Sequence, residues 1–197
     1  MAWVEGWLVF GYYLIVVTVL TLWMKKRRPE LLQERLARKK DVKAWDRAIL
    51  ICYVFLYIGM LVVAGLDAKR FGWSHVSLVP KVLGFTGLIS GSSLAFWALA
   101  ENAFASNVVR IQAERGHQVC TTGPYRYVRH PMYADVIVLS FCIPLALGSL
   151  CALVAGFLLA VVFVIRTALE DVTLQRELAG YREYAVRVRY RLVPGLW

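Results

Sequence analysis

Charged residues are scarce in this chain, because Asp, Glu, Lys and Arg make up only 18% of its 197 residues. A typical soluble domain carries about 25% charged residues. Hydrophobic residues reach 59%, and the mean hydropathy is +0.58. This composition disfavours a soluble globular protein and indicates an integral membrane protein. The length favours one integral unit.

The common cysteine and glycine motifs are also missing. Its four cysteines contain no CxxC pair, so they indicate no disulfide framework, and with three histidines they form no zinc pattern. No GxGxxG fingerprint occurs, which disfavours a Rossmann-type nucleotide site. The glycines of the segment 84–91 instead have the spacing of small residues that let membrane helices pack closely. We therefore expect neither a metal centre nor a dinucleotide-binding domain.

Acidic residues are fewer than basic ones, 13 against 23, which gives a net charge of +10. In a soluble protein this excess would suggest nucleic-acid binding. Here the cations follow the apolar segments: ten lie within residues 25–47, and only Lys69 and Arg70 lie in the next loop. Basic loops face the cytoplasm and its anionic lipids. We predict a cytoplasmic first loop, contact with membrane lipids and no nucleic-acid partner.

Three apolar spans precede residue 101, and a helix needs about 20 apolar residues to cross a bilayer. They cover residues 7–24, 48–66 and 82–100. The first is followed by its basic cluster, whereas a removable signal peptide has the charge in front, so we interpret it as a retained helix. The basic segment after it has two interpretations: a solvated loop, or an interfacial helix with Leu31, Leu32 and Leu36 on its apolar edge.

Residues 132–169 form one apolar run that is too long for a single crossing of a core about 30 Å thick. We predict a hairpin of helices 133–147 and 150–169, broken at Pro144 or at Gly148-Ser149. The polar stretch 101–131 and the amphipathic tail 170–197 then lie on the same side. The expected fold is an all-α integral membrane protein with about five transmembrane helices and a cytoplasmic cofactor pocket. We divide the chain into amino-terminal helices, 1–100, and a core, 101–197.

The segment GPYRYVRHPMY, residues 123–133, combines a Gly-Pro turn signal with a histidine directly before a proline. Pro131 suits the first turn of a helix and disfavours helix at His130, which therefore stands at a helix start. Arginines and tyrosines around His130 favour a binding pocket, with flat aromatic faces for a nucleoside or a cation. The alternative is that Arg126 and Arg129 contact lipid headgroups and the tyrosines form an interfacial belt.

Arg166 and Glu170 lie four residues apart near the end of the last apolar helix, so they share one face. Ionisable residues within membrane segments are functional hypotheses by default. The alternative is a local pair between a snorkelling arginine and a glutamate. Arginine before glutamate is the weaker orientation for such a pair, which favours a function.

With these residues the chain resembles the isoprenylcysteine carboxyl methyltransferase family and related phospholipid methyltransferases. The resemblance covers about residues 102–195 and rests on HQVCTTGPYRYVRHPMY followed by RTALED, YREY and VPG. It implies S-adenosylmethionine as a cofactor bound without a Rossmann domain. The residues that it implies around the cofactor are Gln112, His117, Gln118, Val119, Cys120, Tyr125, His130, Pro131, Met132, Tyr133, Glu170 and Asp171. The chain departs from the family pattern at Cys120. It also departs from the pattern at Asp171, where many members have a glutamate.

The resemblance also implies a reaction. Arg166 matches the catalytic arginine that addresses an acceptor carboxylate, in bidentate geometry. A carboxylate is already ionised at pH 7, so it needs no general base. We expect carboxyl O-methylation of an isoprenylcysteine-like or other lipophilic acceptor, a small molecule or a prenylated substrate, that enters from the bilayer. Phospholipid or small-amine N-methylation, thiol S-methylation and a non-enzymatic scaffold are the alternatives.

Overall fold

The computed structural model describes residues 3–37, 39 and 42–197, and within these residues all regular structure is helical. Two cations of the basic segment, Arg38 and Lys40, lie outside the described residues. Two short 3₁₀ turns, Ala113–Arg115 and Gly123–Arg126, interrupt the polar stretch. The helices are α1 (Val4–Arg27), α2 (Pro29–Leu36), α3 (Ala44–Gly65) with a π-helical continuation (Leu66–Phe71), α4 (Leu78–Glu101), α5 (Pro131–Leu147), α6 (Ala152–Glu177) and α7 (Tyr181–Arg187).

Four of these helices are long and apolar enough to cross a membrane: α1, α3 with its continuation, α4 and α6. Helix α5 is a shorter apolar helix of 17 residues. Large apolar side chains such as Trp7, Phe55 and Val154 are exposed on the outside of the bundle, as lipid-facing residues are. The chain is therefore an all-α membrane protein, as its composition predicts.

The structure confirms the predicted hairpin, with its break at the second of the two proposed positions, and differs from the prediction in the length of α6. Pro144 does not break α5, because the helix continues through it to Leu147. The break is at Gly148, whose φ of +79° is a left-handed conformation that favours glycine. Helix α6 also continues beyond residue 169 to Glu177, so Arg166, Glu170 and Asp171 all lie on one rigid helix.

The basic segment contains a helix, α2, so the structure favours the helical interpretation over the solvated loop. Leu31 is buried in a cluster with Met24, Leu99 and Ala105. Leu36, at the end of the same helix, is 76% exposed. Side chains of α2 also reach the segment after α4, because Arg35 donates a hydrogen bond to the Ala105 carbonyl at 3.1 Å. The basic segment is thus packed onto the polar stretch.

Glycines on α4 allow it to lie directly against α5, which it contacts extensively. A Cβ added at Gly84 would lie 2.5 Å from the Ala146 backbone nitrogen, and one at Gly91 would lie 2.5 Å from Asp135 Oδ1. The predicted small-residue face therefore serves contacts within the chain. Helix α6 packs on the other side against both α5 and α3.

At the hairpin tip, the fully buried Asp67 ties the π-helical turn to the α5–α6 connection. Its carboxylate accepts hydrogen bonds from Ser149 Oγ at 2.5 Å, Ser74 Oγ at 2.6 Å and the Cys151 amide at 3.2 Å. These bonds hold the end of the bundle opposite the polar stretch. The polar stretch itself forms the other end, where α4 ends and α5 begins.

Candidate functional site

A cleft with about 800 Å³ of empty space, part of it open to solvent, lies at the polar-stretch end of the bundle. The segment 102–120, the start of α5, the last turns of α6 and α7 form its walls. Ten of the twelve residues predicted around a cofactor line it: His117, Gln118, Val119, Cys120, Tyr125, His130, Pro131, Met132, Tyr133 and Glu170.

The wall at the start of α5 is fixed by chain that follows α7. The backbone amides of Arg129 and His130 donate hydrogen bonds to the carbonyls of Tyr190 and Arg191, both at 2.9 Å. Pro131 occupies the first turn of α5, as predicted, and lacks the amide hydrogen that would be unpaired there. His130 is consequently held at the helix start and faces the cleft.

Asp171 does not line the cleft and lies directly behind its wall. Its carboxylate is fully buried. It binds Arg129 Nη2 at 3.2 Å, Arg191 Nε at 3.0 Å, Gln175 Nε2 at 2.8 Å and the Tyr181 hydroxyl at 3.2 Å, and lies 3.4 Å from His130 Nε2. Arg129 is buried by these contacts, which excludes the interpretation that it binds lipid headgroups.

Glu170 and Tyr133 form the face of the cleft opposite the segment 102–120. The Tyr133 hydroxyl donates a short hydrogen bond to the Glu170 carboxylate. The His130 ring is stacked on Tyr133 with 5.7 Å between centroids and 3° between planes. A carboxylate on the wall of a partly open cleft accepts hydrogen bonds from hydroxyl or amine donors and attracts cations.

Gln112 lies beneath the cleft rather than in its lining. It is fully buried, its side chain donates to the Phe104 carbonyl at 2.7 Å, and it accepts a short hydrogen bond from Arg115. Its backbone amide donates to His117 Nδ1 at 3.3 Å. The His117 ring stacks on Phe104 with centroids 4.7 Å apart, so Gln112 orients an aromatic wall.

Burial, and for His117 also nearby charges, shifts the pKa values of several groups around the cleft. Desolvation lowers the pKa of His117 below its ordinary value, with further lowering by the charges of Arg115 and Arg110. Desolvation raises the pKa of Tyr125 and of Tyr184. At pH 7 the imidazole is therefore neutral and the phenols keep their protons, which leaves them as hydrogen-bond donors.

Arg166 is not part of the cleft lining. Its guanidinium binds the Asp46 carboxylate of α3, with Nε to Oδ1 at 2.8 Å and Nη2 to Oδ2 at 3.3 Å. The guanidinium carbon lies 5.0 Å from the centre of the Tyr133 ring. Arg166 is therefore held in a buried ion pair next to Tyr133.

Several lining residues carry no signal in the sequence analysis: Asn102, Phe104 and Arg110. Tyr181 and Tyr184 also line the cleft, and their motif YREY belongs to the resemblance without an assigned role. Asp46 was missed altogether. An acid next to the start of an apolar helix is the signal that could have identified it, because membrane segments rarely contain unpaired charges.

The fold and the cleft define an integral membrane protein with a polar cleft at one end of an apolar helix bundle. Residues 82–176 match the family model of the isoprenylcysteine carboxyl methyltransferase (ICMT) family. This segment, from α4 to the end of α6, is therefore an ICMT family domain, and its family is one of methyltransferases. Comparison with curated proteins gives no match. The match confirms the resemblance and contains every predicted site residue. It begins and ends earlier than predicted, so the motifs YREY and VPG lie outside it.

Proposed function

We propose that the protein is an S-adenosylmethionine-dependent methyltransferase that acts on a lipophilic acceptor at the membrane. The observation that carries the proposal is the cleft, because it gathers ten residues that the family resemblance implies around the cofactor. The family match to residues 82–176 supports methyl transfer as the reaction class. The division of the chain at residue 100 remains a prediction. The matched segment begins at residue 82, before that division, and includes most of α4.

The residues of the cleft fit this cofactor. Phe104 and His117 provide stacked aromatic rings beside which a purine could lie, and neutral His117 adds no repulsion to a cation. Glu170 provides a carboxylate for the ribose hydroxyls or the ammonium group. When bound in this cleft, the cofactor would supply a methyl group activated by a sulfonium. The backbone of residues 117–120 completes the proposed cofactor-binding residues. Gln112 and Asp171 do not line the cleft, and their hydrogen bonds position residues that do.

The protein's own contribution is positioning and exclusion of water. Orienting two reactants in one closed site accounts for much of the rate of such displacements. A carboxylate acceptor attacks with its own lone pair and releases no proton. A thiol or amine acceptor releases a proton, which Glu170 or water accepts. Acceptors with long apolar chains reach the cleft from the lipid-exposed faces of the bundle.

The leading acceptor is the carboxyl group of an isoprenylcysteine-like or other lipophilic compound, addressed by Arg166. A thiol or amine acceptor, which includes a phospholipid amine, is the second candidate. One observation favours it: the Arg166 guanidinium already holds the Asp46 carboxylate. An acceptor without negative charge does not compete with that pair.

We further propose that the cleft faces the cytoplasm. Arg28 donates a hydrogen bond to the Ala100 carbonyl at 2.9 Å, and Arg35 donates one to the Ala105 carbonyl. The basic segment and the cleft are therefore at the same end of the bundle. Loops rich in Lys and Arg remain on the cytoplasmic side.

Calorimetric binding of S-adenosylhomocysteine to detergent-purified protein tests the proposal. We expect binding by the wild type and a loss of at least about tenfold in affinity, roughly 1.4 kcal/mol, in Glu170→Ala and in His130→Ala. Glu177→Ala is the matched control, because Glu177 lies on the same helix and pairs with Lys43 outside the cleft. A folded wild type that does not bind would contradict the proposal and favour a non-enzymatic scaffold.

A further inference from the structure

A groove with about 730 Å³ of empty space, part of it open to the surroundings, lies on the outer side of α3 near the start of this helix. It is lined by the segment before α3, by α3 itself and by Val108. Val108 also lines the cleft and is the one described residue that the two cavities share. The groove therefore lies against the cleft wall, and the proposed methyl transfer uses none of its other residues.

One face of α3 forms most of the groove. Its lining residues follow the spacing i, i+3, i+4, i+7 and i+8 along the helix: Arg47, Leu50, Ile51, Val54 and Phe55. The four that follow Arg47 form an apolar face, and the whole set extends over about 12 Å at 1.5 Å per residue. Ile51 is 53% exposed and Phe55 is 73% exposed. Because α3 is long enough to cross a membrane, the groove runs from the headgroup region into the apolar core of the bilayer.

The polar end of the groove is cationic. Among the described residues that line it are two cations, Lys39 and Arg47, and no acid. The Lys39 ammonium binds Glu34 at 2.6 Å, which uses one of its three donors. Glu34 also binds Arg110 at 3.0 Å, so its carboxylate does not depend on Lys39 alone. Arg47 is exposed, and a guanidinium can bind a phosphate through two parallel hydrogen bonds.

An anionic phospholipid has the same order of chemistry as the groove, with a phosphate followed by an acyl chain. A soluble anion would leave the apolar face of α3 unused. A zwitterionic lipid would bring its own cation next to Arg47. The groove also lies at the end of the bundle that contains the basic segment, which we propose to be cytoplasmic, and anionic lipids are concentrated in the cytoplasmic leaflet.

We propose that this groove is a binding site for an anionic phospholipid, with its phosphate at Lys39 and Arg47 and one acyl chain along the apolar face of α3. The site does not depend on the proposed methyl transfer, because Val108 is its only described residue within the ICMT family domain. Since Val108 also lines the cleft, the bound lipid contacts the cleft wall from the membrane side.

Photo-crosslinking tests the site with purified full-length protein in a neutral detergent and without cofactor. The probe is a phosphatidylglycerol with a photoreactive group on one acyl chain, and labelled peptides are identified by mass spectrometry. We expect labelling within residues 50–55. Unlabelled phosphatidylglycerol should halve this labelling at a concentration at least about fivefold lower than phosphatidylcholine with the same chains, because each basic residue near an anionic headgroup contributes about this factor.

Three results with the wild type would overturn the inference. The first is labelling that is confined to other lipid-facing helices, and the second is equal competition by the two lipids. The third is competition by glycerol phosphate, which has the anion without the chains, because it would identify a site for free phosphate. The absence of cofactor separates these results from any failure of the proposed function.

Arg47→Gln removes the cation and should raise the phosphatidylglycerol concentration needed for half-competition by about fivefold. Arg47→Lys keeps the charge and should stay closer to the wild type. Arg27→Gln is the matched control, because Arg27 is an exposed cation at the same end of the bundle and does not line the groove. An equal loss in Arg27→Gln would show a general effect of surface charge and would overturn the site.

Discussion

The two ends of the helix bundle each contain a fully buried aspartate, and their partners differ. Asp67, at the hairpin tip, is surrounded by serine hydroxyls and backbone amides. Asp171, behind the cleft, is surrounded by two arginines, a tyrosine, a glutamine and a histidine. At the hairpin tip, neutral donors are enough to hold the aspartate and its turn. At the cleft end, the aspartate is paired with buried arginines. Burying such charges is costly unless they are paired, and it is typical of functional sites.

The largest effect is expected from Asp171→Asn, which leaves Arg129 buried without its counter-charge and weakens the hold on Arg191. Breaking a buried ion pair by removing one partner costs about 3–5 kcal/mol. We expect a large drop in Tm together with loss of S-adenosylhomocysteine binding. The comparison between the two ends would fail if this variant were as stable as the wild type.

A smaller effect is expected from Asp67→Asn at the other end. The substitution weakens the bonds from Ser74 and Ser149 and costs about 1–3 kcal/mol, the range for buried polar groups that lose a partner. Thermal unfolding should show this loss, and calorimetry should show unchanged affinity for S-adenosylhomocysteine. Weaker cofactor-analogue binding in this variant would mean that the hairpin tip is coupled to the cleft.

The smallest effect concerns the pH dependence of stability through His117. Its pKa in the folded protein is below the unfolded value, so the unfolded state binds more protons and stability increases with pH in this range. The contribution is complete above the unfolded pKa, about 6.5, and is lost as the pH falls through that value toward the folded pKa. We expect Tm to fall between pH 7.5 and pH 5.5 less steeply in His117→Gln than in the wild type. Equal slopes of Tm against pH in the two proteins would show that His117 does not contribute to the pH dependence of stability.

Local patterns predicted the parts of the molecule that depend on neighbours in sequence. The apolar spans became helices. Six of the eleven residues of GPYRYVRHPMY line the cleft, because Gly-Pro and His-Pro fix the local chain direction. The end of α6 was placed too early because six of its last eight residues are polar, which is not typical of a membrane-spanning segment. Pro144 was offered as a helix break, but buried packing of α5 against α4 and α6 keeps the helix continuous.

Contacts between distant residues were beyond the sequence patterns. The pairing of Arg166 with Asp46 depends on how α3 packs against α6, which no motif encodes. The hydrogen bonds from residues 129 and 130 to residues 190 and 191 depend on the path of the chain after α7. Both contacts decide which polar groups face the cleft. Ten of the twelve residues that sequence reasoning predicted around the cofactor therefore line the cleft, whereas Asp46, the partner of Arg166, was missed.

The pairing of Arg129 and His130 with Tyr190 and Arg191 also has a consequence for the order of assembly. The cleft wall at the start of α5 cannot take its final shape until the segment after α7 has been synthesised and has folded back. The apolar helices enter the membrane earlier, as each leaves the ribosome. The ligand site is thus the last part of the molecule to form, and shortened chains that insert normally should lack it.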